Sequence, residues 1–411
     1  MTPENEKRIK AVRAGRQLDE RREMKKIEDI FEETYEKNHP DAEVLTIIQG
    51  VGTVPREQSG REIIYDKNSL ASYKYVKKGD FIIHLRSFEG GLEVANSDGI
   101  VSPAYIILHP KIEVSTIYLY ALFHTNRFIN QTMAPAVEGA RDGRSVKYDV
   151  LKKQKIPFPP LSEQKKIAEI LATQDRVIEL KEKLIAEKQS QKKYLMSVLL
   201  GDDFKKPFKL NGVTIDKKKW EKKKLGDICD TFSGGTPSRS HPEYFNGDIP
   251  WIKSGELNQE NIYETEEFLT KKGIESSSAK MVKKGTLLIA MYGATAGVLA
   301  VSHIDAAINQ AILALIPNID INPFYLKSTI ANQIDVAVHR LVQGGQPNFN
   351  ASIINAFELR LPTLPEQKAI ADVLSAADEE ISLLQKDLEQ EKLKKKSLMQ
   401  LLLTGLVRVK V

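Results

Sequence analysis

The chain has 411 residues, of which 41% are hydrophobic and 28% charged, and its formal net charge is +5. This length predicts two or three domains, and the small positive charge permits nucleic-acid binding without arguing for it. No apolar run approaches membrane length, the N-terminal sequence lacks the apolar core of a signal peptide, and the single cysteine, Cys229, excludes an internal disulfide. We therefore expect a protein of the reducing cytoplasm with no membrane partner.

In chain order, two globular regions alternate with two long helical patterns. The sequence predicts a charged segment at 1–24, a first globular domain at 25–155, a long helix at 156–201, a basic linker at 202–224, a second globular domain at 225–358, a second long helix at 359–405 and a tail at 406–411. Both globular domains mix strand-like runs of Val, Ile and Phe with short helices, which predicts an α+β fold. The basic linker is more simply a solvated connection than a DNA contact.

One stretch occurs twice. LSEQKKIAEIL begins at Leu161 and recurs as LPEQKAIADVL from Leu364. Across the about 40 positions that follow each start, about 17 residues are identical, which is too many for chance. Apolar residues fall at three- and four-residue spacing in both copies, with Glu, Gln and Lys between them. Each copy is therefore predicted to form one helix.

The helix boundaries and the narrow apolar stripe indicate how the two copies associate. Start signals stand at Ser162 and Thr363, and Gly201 and Gly405 mark the ends. A helix of this length spans about 60 Å and needs a partner for its apolar stripe. We predict that the copies pair as an antiparallel coiled coil. The two globular domains would then lie at opposite ends of the pair, related by a pseudo-two-fold axis. The residues that we assign to the partner-helix contact are Gln164, Ile167, Leu171, Gln367, Ile370 and Leu374.

The two globular domains, which we call heads, also share a distant pattern. YVKKGDFII from Tyr75 matches MVKKGTLLI from Met281, and STIYL from Ser115 matches NPFYL from Asn322. Each match indicates the same turn before a buried strand or the same helix start. Unlike heads on like helices suggest two different targets recognised at a fixed separation, for which DNA half-sites are the common case.

These motifs resemble a known family. LSEQKKIAEILATQD and LPEQKAIADVLSAAD, with LMSVLLG and LMQLLLTG at the helix ends, are similar to the specificity subunit of type I restriction-modification enzymes. So are FSGGTPSR from Phe232, IPWIKSGEL from Ile249 and YGATAG from Tyr292 in the second head, and RSFEGGLE from Arg86 and GIVSPAY from Gly99 in the first. The first head has no counterpart of FSGGTPSR or IPWIK, so it belongs to a different subtype.

The resemblance implies a non-catalytic subunit with two target-recognition domains, each reading one half of a bipartite double-stranded DNA site. It implies that the helix pair sets the spacer and docks two modification subunits, which bring adenine methylation and S-adenosylmethionine. Restriction subunits that bring ATP and Mg²⁺ would join this core, and the present chain would bind no cofactor. The rival is a stand-alone coiled-coil scaffold whose heads bind protein or a small ligand, with no DNA readout.

Three motifs that approach catalytic patterns have simpler explanations. NPFY at Asn322 approaches a methyltransferase loop, but its duplicate is STIY, and a helix cap explains both copies. FSGGT at Phe232 lacks the following helix and acidic residue of a dinucleotide fold. The carboxylates and histidines are scattered, so we predict neither a catalytic nor a metal site.

Candidate DNA contacts are polar and basic loop residues, because loops are easily redirected on a fixed scaffold. Those of the first head are Arg86, Ser87, Arg141, Arg144, Lys147 and Tyr148, and those of the second are Ser238, Arg239, Lys253, Tyr292, Gln343, Gln346 and Asn348. Arginine pairs with guanine and Gln or Asn with adenine, so we hypothesise that the glycine-punctuated loops from Gly139 and Gln343 meet base edges in the major groove. The alternative is that each is a solvated loop residue.

Overall fold

The computed structural model describes residues 23–60, 67–139, 144–201, 206–341 and 349–410. Two units pack separately: the first unit combines Met1–Glu182 with Lys386–Val411, and the second unit is Lys183–Gln385. Each unit holds one head and part of both long helices. The predicted α+β class with two long helices is confirmed.

The first head is built from short strands and helices around one antiparallel sheet. Its elements are β1 (Met24–Lys26), α1 (Ile27–Ile30), β2 (Phe31–Thr34), β3 (Leu45–Ile48), β4 (Gly52–Pro55), β5 (Lys74–Val76), β6 (Phe81–Ile83), α2 (Ser87–Gly90), β7 (Glu93–Val94), β8 (Gly99–Val101), β9 (Ile106–Pro110), α3 (Thr116–Phe123), β10 (Val137–Glu138), β11 (Ser145–Val146), α4 (Tyr148–Leu151) and β12 (Lys155–Pro157). The main sheet has the order β2-β9-β6-β7, and the pairs β1–β12, β3–β4, β5–β8 and β10–β11 surround it.

The second head carries more strands. The long helix α5 (Leu161–Leu200) separates it from the first head. After α5, the connecting segment and the second head contain β13 (Phe208–Leu210), β14 (Val213–Ile215), β15 (Glu221–Lys224), α6 (Leu225–Ile228), β16 (Cys229–Ser233), β17 (Phe245–Ile252), β18 (Asn261–Ile262), β19 (Glu267–Leu269), α7 (Lys271–Glu275), β20 (Lys280–Val282), β21 (Leu287–Ala290), β22 (Leu299–Ser302), β23 (Ala306–Ile308), β24 (Ile312–Pro317), α8 (Pro323–Leu341), α9 (Ala351–Asn355) and β25 (Glu358–Leu361). Sheets of order β16-β24-β21-β22-β18 and β19-β17-β23-β20 form beside the pairs β13–β14 and β15–β25.

The two heads share one strand frame. The run β2-β9-β6-β7 of the first head has the same chain order and pairing as β16-β24-β21-β22 of the second, and β5–β8 matches β20–β23. Even the turns agree: the backbone N–H of Lys78 donates to Asp98 Oδ1 at 2.7 Å, and that of Lys284 donates to Asp305 Oδ1 at 2.9 Å. The predicted kinship of the heads is confirmed.

The frames differ in the segment inserted between matching strands. In the first head the insert is 35–73, between β2 and β5; its described part contains the hairpin β3–β4, and Val44 forms a parallel bridge with Ile100 of the frame strand β8. Residues 234–279, between β16 and β20, form β17, β18, β19 and α7 in the second, where β17 and β18 join the frame strands β23 and β22 in parallel. The two heads therefore display different inserts on the same scaffold.

The long helices α5 and α10 (Leu364–Leu403) pair antiparallel within each unit. In the first unit Lys395 forms an ion pair with Asp175, and in the second Lys192 forms one with Asp378. These four residues occupy the same two repeat positions, so the duplication includes the helix–helix contact. Such pairs add little stability at the surface, about 0–1 kcal/mol each, but they select one alignment of the helices. The predicted antiparallel pairing is confirmed, and the pseudo-two-fold relation between the units stays a prediction.

The apolar residues assigned to the partner-helix contact are buried as expected. Ile167 and Leu171 belong to a buried cluster that includes Leu402 and Leu403 near the end of α10. Ile370 and Leu374 belong to another, which contains Leu199 and Leu200 of α5. None of the helices in the described part of the chain is both long and apolar enough to cross a bilayer.

The prediction that Gln164 and Gln367 contact the partner helix is wrong, because their side-chain amides form hydrogen bonds within their own half of the chain. Gln164 Oε1 accepts from the backbone N–H of Ser115 at 3.0 Å, and Nε2 donates to Pro159 O at 2.9 Å. In the second unit, Gln367 Oε1 accepts from Asn322 N at 2.8 Å, and Nε2 donates to Pro362 O at 3.0 Å. Both side chains are buried. Each glutamine therefore joins the start of a long helix to the start of α3 or α8, rather than to the partner helix.

The expectation of a solvated linker is wrong for residues 206–224. Strands β13 and β14 form a hairpin whose turn, Asn211-Gly212, has positive φ at both positions. Ile215 and Trp220 are buried with Ile370, and Trp220 Nε1 donates to Glu366 Oε1 at 3.2 Å. This segment is an ordered part of the second unit.

We predict that Gln367→Ala destabilises the second unit. The substitution leaves the N–H of Asn322 and the carbonyl of Pro362 without their side-chain partner, which costs about 1–3 kcal/mol of the free energy of unfolding. The matched control is Gln385→Ala, which removes an exposed glutamine from the same helix and should cost no more than about 0.5 kcal/mol. Urea or thermal unfolding of the two variants checks this, and equal stability of the two would contradict it.

Candidate nucleic-acid interface

In the first head, two of the predicted DNA contacts meet at one surface. Arg144 lies directly before β11, and its guanidinium stacks over the ring of Phe88 at 4.5 Å. Its Nη2 also lies 3.6 Å from Glu89 Oε1, with the two side chains 45% and 43% exposed. Phe88 and Glu89 belong to α2, and the exposed Arg86 directly precedes that helix. The structure thus brings Arg144 to the helix that follows Arg86.

The geometry leaves the Arg144 guanidinium able to change partners. A half-exposed ion pair contributes about 0–1 kcal/mol, and an exposed cation–π contact about 0.5–1 kcal/mol. Both contacts orient the planar guanidinium group, and replacing either of them with a contact to DNA costs little free energy. An arginine held in this way is suited to bidentate recognition of a base edge or a phosphate.

The prediction that Ser87 contacts DNA is wrong. Its side chain is fully buried, and its hydroxyl accepts a hydrogen bond from the backbone N–H of His84 at 2.9 Å. The N–H of Arg86 in turn donates to His84 Nδ1 at 3.2 Å. Ser87 therefore shapes the turn that presents Arg86 and is not itself available to DNA.

Lys147 and Tyr148 follow β11 and differ in exposure. Lys147 is exposed, and its Nζ lies 3.9 Å from Glu138 Oε2. Tyr148 is half-buried against the core of the head, and burial, aided by the nearby Glu33 and Glu28, raises its pKa to about 12. Lys147 remains a candidate phosphate contact, whereas Tyr148 is partly committed to packing.

A buried network beneath this surface was not identified from the sequence. Glu93 Oε1 accepts from the backbone N–H of Gly50 at 2.7 Å and from His124 Nε2 at 3.0 Å, and Oε2 accepts from the Tyr120 hydroxyl at 3.3 Å. His124 Nδ1 faces the Tyr120 carbonyl at 2.8 Å, so both ring nitrogens face acceptors. Burial opposes charge on both groups, but these hydrogen bonds outweigh it: the pKa of Glu93 is lowered and that of His124 is raised. The pair fixes the tip of the β3–β4 hairpin to α3.

Close packing ties the same hairpin tip to α2. A Cβ on Gly90 would lie 1.7 Å from the Gln49 amide nitrogen, so any larger residue there would displace the Gln49 side chain. Gln49 and Gly50 form the tip of the β3–β4 hairpin, which belongs to the insert. The insert, α2 and Arg144 therefore make one composite surface, which we call the first reading surface. The RSFEGGLE motif contains Gly90 and Glu93, but their roles depend on a distant hairpin.

In the second head, Arg239 and Lys253 meet on one carboxylate. Arg239 binds Glu267 with both arms of its fork, at 2.8 and 3.2 Å, and stacks over Phe245 at 4.5 Å. Lys253 Nζ lies 3.0 Å from Glu267 Oε1 and 3.1 Å from Glu266 Oε2. The hydrogen bond from Arg239, and then that from Lys253, lowers the pKa of Glu267, and its two carboxylate partners raise that of Lys253. We call this group, with its insert, the second reading surface.

The other candidates of the second head are less closely joined. Ser238 is exposed beside Arg239, and its hydroxyl lies 2.7 Å from that of Ser240. Tyr292 follows β21 and is 36% exposed. The remaining candidates, Arg141, Gln343, Gln346 and Asn348, lie outside the described residues.

The described residues contain no group of three or more His, Cys, Asp or Glu side chains placed to hold a metal ion. The surfaces above instead combine exposed cations with aromatic rings and carboxylates.

Comparison with known proteins matches both halves of the chain. The family model described as "Type I restriction modification DNA specificity domain" matches residues 19–188 and again residues 217–393. Among curated relatives, the MjaVIII specificity subunit of Methanocaldococcus jannaschii is 27% identical over 351 residues, which are 82% of this chain and 80% of that protein. The MjaIX specificity subunit of the same organism is 32% identical over 167 residues, which are 39% of this chain and only 38% of the relative.

Solved structures share the fold. A chain from a structure concerned with complex assembly and conformational transition of the type I R-M system is 18% identical with a TM-score of 0.63, covering 96% of this chain and 100% of that one. The HsdS subunit from Thermoanaerobacter tengcongensis is 16% identical with a TM-score of 0.50, covering 95% and 98%. With the fold and both sequence matches in agreement, this chain belongs to the type I restriction-modification DNA specificity family, and it carries the two specificity domains of such a subunit.

Proposed function

We propose that each head of this chain reads one half of a bipartite double-stranded DNA target for a type I restriction-modification complex. The observation that carries this is the same strand frame occurring twice with different inserts. A common frame gives both heads the same way of approaching a duplex, and a different insert gives each its own contacts. A protein that recognises two different DNA sequences in the same way needs both the common frame and the different inserts.

In the first head, the first reading surface contacts the base edges. Arg144, and Arg86 at the start of α2, have the donors that pair with guanine O6 and N7 in the major groove. Lys147 acts as a point charge on the phosphate backbone, which positions the head without reading sequence. The Glu93–His124 network holds the hairpin tip in place beneath them.

In the second head, readout requires an exchange of partners. Arg239 and Lys253 are neutralised by Glu267 and Glu266 in the free protein. A base edge or phosphate must therefore replace a carboxylate, and a wrong sequence that cannot compensate for this loss is rejected. This competition makes the second reading surface more selective than a row of free cations would be.

The chemistry of the complex belongs to its other subunits. In this proposal the long helices set the spacer between half-sites and dock two modification subunits, which supply S-adenosylmethionine and adenine methylation. Restriction subunits supply ATP and Mg²⁺, and the chain itself is a non-catalytic cytoplasmic subunit. Support comes from family membership and from the neighbour solved in a study of type I complex assembly.

We predict that replacing residues 225–358 with the matching head of a family member of different specificity changes only one half of the target. The frame is shared and each insert lies within its own head, so the other half should be read as before. The measurement is mapping of methylated adenines in DNA from cells that express the chimera with its modification subunits. Changes in both halves would refute independent reading, and absence of any sequence preference would favour the stand-alone scaffold.

We predict that Arg144→Ala, assembled with modification subunits, relaxes discrimination at one base position by about 1–3 kcal/mol. The control is Arg176→Ala, which removes an exposed arginine from α5 that pairs with Glu179. Binding to a panel of single-base variants checks the expectation. If the variant binds all sequences more weakly by the same factor, Arg144 is a phosphate contact. If it unfolds at a lower temperature but still discriminates between bases, Arg144 has a structural role instead.

A further inference from the structure

We propose that residues 206–224 of the second unit, here named the lysine hairpin, form a sequence-independent contact with the DNA phosphate backbone. The name covers the β13–β14 hairpin, the 3-10 turn Lys217–Lys219 that follows it, and β15, which pairs with β25. The inference rests on the proposed function, because it takes the DNA target as the partner. It adds a surface outside both reading surfaces.

One side of the lysine hairpin anchors it. Ile215 and Trp220 are buried, and Phe208, Leu210 and Val213 pack against the same cluster. The carboxylate of Glu366, at the start of α10, accepts hydrogen bonds from Trp220 Nε1 at 3.2 Å and from the N–H of Asp216 at 3.1 Å. The segment is therefore an ordered platform on the second unit.

One lysine of the hairpin is used internally. Lys217 is buried, and its Nζ donates to the carbonyls of Val198 and Gly201 at 2.6 and 2.5 Å. These carbonyls belong to the C-terminal end of α5, where a cation satisfies the helix dipole as well as the free acceptors. Lys217 therefore holds the hairpin to the end of the helix and is not available to DNA.

The exposed surface of the hairpin is rich in positive charge. Its exposed lysines are Lys206, Lys209, Lys218, Lys219, Lys222, Lys223 and Lys224. The carboxylates that reach them are Asp216, 3.6 Å from Lys219, Glu221, 3.0 Å from Lys223, and Glu358, 3.8 Å from Lys222. The surface thus keeps a net positive charge on a platform that packing has already ordered.

The composition of this surface favours phosphate over protein. Protein–protein interfaces are enriched in arginine and aromatic residues and depleted in lysine. Residues 206–224 contain no arginine, and their tryptophan is buried. Lysine presents a compact charge on a flexible stem, which suits a phosphate oxygen and carries no information about the base. The hairpin therefore contributes affinity and positioning, while the reading surfaces contribute specificity.

The test compares two variants of the complete complex with modification subunits. The first variant carries Lys→Gln at 218, 219, 222, 223 and 224, and its matched control carries Lys→Arg at the same five positions. Binding is measured as a function of salt, on a duplex with the target and on one without it. We expect the Gln variant to bind both duplexes more weakly, and its plot of log K against log salt to be shallower by about 0.9 for each phosphate that the hairpin no longer neutralises. The Arg control should keep the wild-type slope, and the half-sites protected in a footprint should stay the same.

Other outcomes overturn the proposal. An unchanged slope in an assembled Gln variant with an intact footprint would refute the lysine hairpin while leaving the proposed function in place. Failure of the Gln variant alone to assemble, with an unchanged salt slope for whatever complex forms, would assign the surface to an acidic protein partner. Absence of any footprint for the wild-type complex would instead refute the proposed function. Should the five substitutions prevent folding, Lys222→Gln with Lys224→Gln on the exposed strand β15 gives the same test with a smaller change of slope, at most about 1.8.

Discussion

The buried glutamine at the start of each long helix is the contact on which the rest of the structure depends. Gln164 and Gln367 each accept from the backbone N–H of the residue just before a head helix and donate to a carbonyl just before their own helix. A neighbouring tyrosine repeats the connection: Tyr118 donates to Pro157 O at 3.2 Å, and Tyr325 donates to Arg360 O at 2.6 Å. Buried polar groups that satisfy one another in this way fix a single geometry, because any other leaves them unpaired. Equivalent hydrogen bonds therefore connect head and helix in both units.

This fixed connection explains how the heads can differ without losing their common purpose. The strand frame and its turns are alike, so the elements that support a recognition surface stay in place. The inserts at 35–73 and 234–279 differ between the heads, and the interactions described above that hold them lie within each head. In the first head, Glu93 and His124 hold the hairpin tip, and in the second, parallel pairing of β17 and β18 joins the insert to the frame. In the proposed function, exchange of an insert would change the specificity of one head.

The sequence predicted most of the scaffold and less of the site. The helices and their ends follow from three- and four-residue periodicity, which is a local signal, and their pairing follows from the repeat, in which about 17 of about 40 residues are identical. The lysine hairpin is different: Asn211-Gly212 between two alternating apolar runs is a hairpin signal, but the many surrounding lysines favour the interpretation as a solvated linker. Arg239 was identified by residue type, but its pairing with Glu267 joins positions far apart in the chain and has no local pattern. The burial of Ser87 likewise has no local pattern, since it depends on how α2 packs.

The central claim is that two heads read two half-sites and that the paired helices determine the distance between them. It is tested most directly by deleting one heptad from each long helix at matching repeat positions and mapping methylated adenines in cells that express the complex. Seven helical residues span about 10 Å, so the account predicts a spacer shorter by about three base pairs and half-site sequences that are unchanged. A changed half-site with an unchanged spacer would contradict it.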